Sequence, residues 1–76
     1  MTTHTLKRYT ASIIVGHGPE QGTGRDATTI LAIDDGEAWE KAMDWGAANS
    51  VVQDGDYLQL SENGRGVKGT PLRKLD

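Results

Sequence analysis

Apolar and polar positions alternate along two stretches of this chain and follow a helical period along a third. In Thr5 to Val15, Leu6, Arg8, Thr10, Ser12 and Ile14 fall on one side and Lys7, Tyr9, Ala11, Ile13 and Val15 on the other. Alternation rich in β-branched residues predicts a strand, here paired on both edges near its end. Ala27 to Ile33 repeats the pattern, with Thr29, Leu31 and Ile33 opposite Thr28, Ile30 and Ala32, and predicts a second strand antiparallel to the first. Between them, Gly16 to Asp26 holds Gly16, Gly18, Gly22, Gly24 and Pro19 and no apolar residue. Residues 16–26 therefore read as a long, flexible, glycine-rich hairpin loop that contributes no packed element.

The helical period follows at once. Ala38, Ala42 and Trp45 recur at i, i+4 and i+7, Trp39 and Met43 widen the apolar stripe, and Glu37, Glu40, Lys41 and Asp44 project the other way. Asp34 is placed to accept from the Glu37 amide while the Glu37 carboxylate reaches back, a capping-box-like start. Gly46 is expected to close the helix in a left-handed conformation. The two tryptophans are six residues apart, about 240° around a helix, so they point different ways; one is expected in the core and the other partly exposed.

Ala47 to Ser50 link the helix to Val51-Val52, expected as a short strand, and Gln53 to Asp56 form a turn into the strand Tyr57 to Ser61. Asn63-Gly64 predicts a type I′ hairpin, because both central positions of that turn need positive φ. Counting outward pairs Leu60 with Val67 and Leu58 with Gly69, so that Leu58, Leu60 and Val67 form a face that meets Trp39, Met43 and Trp45. Pro71 ends regular pairing, and residues 70–76 read as a weakly ordered basic tail. The expected fold is a single α+β domain over residues 1–76: a small antiparallel sheet of four to five strands with one helix packed across it, in the order ββαβββ.

Composition narrows the function. A chain of 76 residues buries only about 60% of its unfolded surface, so its stability gains from dimerisation or partner binding. It has no cysteine, which removes disulfides and thiolate metal sites and fits a reducing cytoplasm. The amino terminus has no hydrophobic stretch after Lys7 and Arg8, so neither a signal peptide nor a membrane span is expected. The net charge of −3 is unevenly spread: residues 34–56 hold seven acids against Lys41 alone, while both flanks are slightly basic.

No residue pattern supports catalysis, and no cofactor or metal is expected. The glycine loop lacks a Gly-Lys-Ser/Thr ending and joins two strands instead of opening a helix, so it does not read as a phosphate cradle. His4 and His17 share no rigid element, and Asp54 and Asp56 lack the glycine position and the later glutamate of a calcium loop. What remains is a surface function. An acidic ridge of Glu37, Glu40 and Asp44, extended by Asp54 and Asp56 and flanked by a half-exposed Trp39, reads as a protein-docking surface.

The run Lys41 to Val52, followed by a turn and the strand Tyr57 to Leu60, resembles the corresponding helix end and strand of small phage anti-CRISPR proteins of the type I-F class. The resemblance covers about a third of the chain and rests mainly on Ala42-Met43-Asp44-Trp45-Gly46. It implies a non-enzymatic inhibitor that binds a Cas protein of a type I surveillance complex, or its recruited nuclease, in the bacterial cytoplasm. Cas surfaces that guide RNA and DNA are basic, and an acidic ridge suits them. The alternative is a small nucleic-acid-binding or regulatory module using Arg65, Lys68, Arg73, Lys74 and the glycine loop, although direct nucleic-acid binding is not expected because these charges form no stripe. A third reading is a homodimer or interaction subunit that adds a strand to a sheet edge.

Overall fold

A computed structural model describes residues 5–72 of the chain. Its elements are β1 (Lys7–Ile14), β2 (Gly24–Ala32), α1 (Asp35–Ala48), β3 (Tyr57–Glu62) and β4 (Arg65–Pro71). The strands form one antiparallel sheet in the order β2-β1-β3-β4, with α1 across one face. The central position of β1 agrees with its reading as a strand paired on both sides: Tyr9 opposes Ile30 on β2, and Ala11 opposes Leu60 on β3. The core contains Tyr9, Ala11, Ile13, Ile30, Ala32, Leu58 and Leu60 from the sheet, closed by Ala38, Ala42 and Val52.

Among the described residues there are four strands, because Val51-Val52 does not form one. Asn49 turns the chain there: its Oδ1 accepts from the Val51 amide at 3.0 Å and its carbonyl accepts from the Val52 amide at 3.4 Å. A local Asx turn thus takes the donors that a ladder would have needed. Val52 plugs the core while Val51 stays 41% exposed.

The helix starts as its sequence predicts. Asp34 Oδ1 accepts from the Glu37 amide at 2.8 Å, and the Glu37 carboxylate reaches back one residue further than Asp34, to the Ile33 amide at 3.2 Å. Its end differs from expectation. Gly46 is helical and buried, the helix continues through Ala47-Ala48, and Asn49 caps it in an extended conformation. Ala38, Ala42 and Gly46 are the residues that face the sheet. Three small residues let the helix sit close, so Trp39 and Trp45 pack as half-buried flanks and Met43 turns outward, 40% exposed.

The β3–β4 hairpin turns at Asn63-Gly64 with φ values of 50° and 81°, as the dipeptide predicts. The register beyond it is shifted by one. Glu62 pairs with Arg65 and Ser61 with Gly66, but Leu60 then opposes Lys68 and Leu58 opposes Thr70. Val67 is the extra residue of a β-bulge, which uniform counting from the turn does not anticipate. It still packs against the core beside Leu72.

The glycine loop is shorter than read, since β2 already starts at Gly24 and includes Arg25 and Asp26. Val15 brackets it, donating to the Thr23 carbonyl at 2.9 Å and accepting from the Gly22 amide at 2.8 Å. Its first residue packs against the Gln53 to Asp56 turn: a Cβ at Gly16 would stand 1.6 Å from the Gly55 carbonyl oxygen, so only glycine fits.

Candidate interaction surface

Glu40 and Asp44 lie where helical spacing puts them, on the solvent side of α1 and away from the sheet, and both are exposed. Met43 and Ala47 are exposed beside them, so this face combines two carboxylates with one large apolar side chain. Glu37 stands lower on the flank towards β2. Besides holding the Ile33 amide it lies 3.4 Å from Lys41 Nζ, which in turn donates to the Leu31 carbonyl at 2.7 Å. Glu37 is thus engaged within the chain. Asp54 is exposed in the turn that Asp56 closes by donating its amide to the Gln53 carbonyl at 3.0 Å.

Asp56 departs from the surface reading, for its side chain is fully buried. Oδ2 accepts from Arg25 Nε at 2.7 Å and from the Gln53 amide at 2.9 Å, and Oδ1 accepts from an Arg25 terminal nitrogen at 3.2 Å. Burial pushes this carboxyl up, but the guanidinium and the amide outweigh it and hold it below its usual range. Asp56 is a structural anchor and cannot extend the ridge. The sequence contained a sign of this: Asp56 is in phase with Leu58 and Leu60, so the alternation of β3 carries it to the helix-facing side of the sheet. No local pattern marked Arg25 as its partner.

Trp39 leans towards β4, where Lys68 Nζ sits 5.3 Å from its ring centroid. A second network, also missed from sequence, joins the sheet to the helix start. The buried Tyr9 hydroxyl donates to Asp35 Oδ1 at 2.8 Å; Arg65 approaches the same oxygen at 3.5 Å and donates to Glu62 Oε1 at 2.7 Å. Burial, with Asp35 as the second cause, pushes the Tyr9 phenol up to about 12. Arg65 and Lys68 of the basic set are therefore engaged within the chain, and Arg73, Lys74 and His4 lie outside the described residues. His17 is exposed and lies against Gly55.

A shallow hollow of about 290 Å³ on the β3–β4 hairpin is lined by Tyr57, Gln59, Gly66, Val67, Lys68 and Gly69, none of them acidic. Among the described residues no group of three histidine, cysteine or carboxylate side chains is placed to hold a metal ion, and no helix is long and apolar enough to cross a membrane.

Compared with known proteins, the chain matches no family model, no curated protein and no solved structure.

Proposed function

We propose that this chain is a non-enzymatic inhibitor of type I CRISPR immunity. It docks through the solvent face of α1 on a basic surface of a Cas protein of the surveillance complex, or on its recruited nuclease, and excludes nucleic acid. The observation that carries the reading is the grouping of Glu40, Met43 and Asp44 at i, i+3 and i+4 on one exposed helix face. Two carboxylates around an apolar side chain combine long-range attraction to a basic groove with a desolvated contact. The resemblance to type I-F inhibitors at Ala42 to Gly46 gives the reading its biological setting, the cytoplasm of an infected bacterium. The nucleic-acid-binding alternative draws less support, because Arg65 and Lys68 already have intramolecular partners.

The test is phage plaquing on hosts with active type I immunity, with and without expression of the chain, paired with pull-down of the surveillance complex. Restored plaquing and capture are expected for the parent, and both should be lost in Glu40→Lys/Asp44→Lys with folding intact. Full immunity together with no capture overturns the inhibitor reading. A double variant as potent as the parent overturns the choice of surface.

A further inference from the structure

The two edges of the sheet are finished differently. β4 carries the bulge at Val67 and ends in Pro71, which has no amide hydrogen; both features blunt an edge against added strands. β2 carries a bulge of its own at Arg25, where Ile13 opposes Asp26 and Ile14 opposes Gly24, but it lies ahead of the uncharged segment Ala27 to Ala32, which runs unbroken along the other edge. In an antiparallel ladder every second residue turns its backbone groups outward. On β2 these residues are Ala27, Thr29 and Leu31, a phase fixed by two side-chain bonds. Asp26 Oδ1 accepts from the Ala27 amide at 2.8 Å, and Lys41 Nζ donates to the Leu31 carbonyl at 2.7 Å.

Both clasps are braced from α1. Asn49, its C-cap, donates to the second oxygen of Asp26 at 2.8 Å, and Glu37 lies 3.4 Å from Lys41. The two groups so occupied are the two ends of one intermolecular bond. A second β2 laid antiparallel about a two-fold axis at Thr29 places Thr29 opposite Thr29 of the copy and Ala27 opposite Leu31 of the copy. The Ala27 amide of each chain then meets the Leu31 carbonyl of the other, once on either side of the axis. We propose that the β2 edge is a pairing surface for a second copy of this chain, held closed in the free protein by Asp26 and Lys41.

The side chains suit that occupant. The seam brings threonine against threonine at its centre and alanine against leucine beside it, with no charge from Ala27 to Ala32 to repel its own copy. Small and large residues alternate across the axis, so neither face of the seam is overfilled. The product is a continuous eight-stranded sheet with both helices on one face. This inference is independent of the inhibitor reading, which concerns the solvent face of α1.

Sedimentation velocity over a range of concentrations tests it. The parent is expected to be monomeric, and Asp26→Ala/Lys41→Ala to associate at least about tenfold more tightly, since a charge-assisted bond is worth a factor of that order. Amide exchange in the double variant should show concentration-dependent protection at Ala27, Thr29 and Leu31. Adding Thr29→Pro, which deletes the central outward donor, should restore the monomer. If the double variant fails to fold, Lys41→Ala alone carries the test, because it leaves the Asp26 to Asn49 bond in place and should shift association the same way. A folded unclasped variant that stays monomeric overturns the proposal, as does a dimer that survives Thr29→Pro, or a parent that already dimerises through this edge.

Discussion

Arg25 and Asp56, 31 residues apart in sequence, join the start of β2 to the turn before β3 through a two-point ion pair in which the Asp56 side chain is fully buried and the Arg25 side chain is 28% exposed. The glycine loop rests on the same turn, so this pair fixes one end of the molecule.

Breaking it should be costly. Asp56→Ala is expected to destabilise the chain by about 3 kcal/mol, near the lower end for a broken buried pair because Arg25 can still reach water. The sign with pH follows from the lowered carboxyl: its contribution is complete above the ordinary carboxyl value near 4 and disappears as pH falls through the lower folded-state value. Urea melts of the parent between pH 2 and 6 should therefore show a loss of stability below about pH 4 that is smaller in Asp56→Asn.

Tyr9 works in the opposite sense. Its phenol is raised to about 12 in the folded chain against an ordinary value near 10, so the neutral form is the one that fits. Its contribution is complete below pH 10 and is lost as pH rises through 10 to 12. Tyr9→Phe should flatten that alkaline decline, measured as the urea midpoint from pH 8 to 11.5; an unchanged decline would mean that other groups cause it.

Gly46→Ala should stabilise the protein. A glycine inside a helix costs about 0.5–1 kcal/mol relative to alanine, and an added Cβ would sit 3.5–3.6 Å from the Leu58 methyl groups, an ordinary packing distance. A higher urea midpoint is expected, and a lower one would show that the added methyl group is not accommodated against Leu58.

Leu60→Ala removes a fully buried side chain from the middle of β3 and should cost about 2–4 kcal/mol. Thermal denaturation is the check; a variant that melts like the parent would mean that Leu60 does not fill the core.

Much of the architecture was legible where one local rule was enough. Tyr9, Ala11 and Ile13 alternate, Asp34 caps, and Asn63-Gly64 turns, each for reasons contained within a few residues. The helix face carrying Glu40 and Asp44 followed from the same kind of rule. The remainder depended on long-range contacts. Gly46 ends many helices, but here packing under Leu58 keeps it inside one. Val67 is displaced by a bulge that its own sequence does not announce. By its immediate neighbours Asp56 is one more surface acid; its phase with Leu58 and its distant partner Arg25 together bury it. Val51-Val52 has strand propensity, yet Asn49 diverts its amides.

The central place of β1 bears on how the chain assembles in time. The β1–β2 and β3–β4 hairpins are local and can each close early, but neither completes the core. Joining them requires Ala11 to find Leu60 across about fifty residues. A nascent chain therefore carries β1 with one side unsatisfied until β3 emerges, and closure of that seam is expected to set the pace of folding. Substitutions along Ala11, Ile13, Leu58 and Leu60 should then slow refolding, whereas changes on the solvent face of α1 should leave the rate nearly untouched.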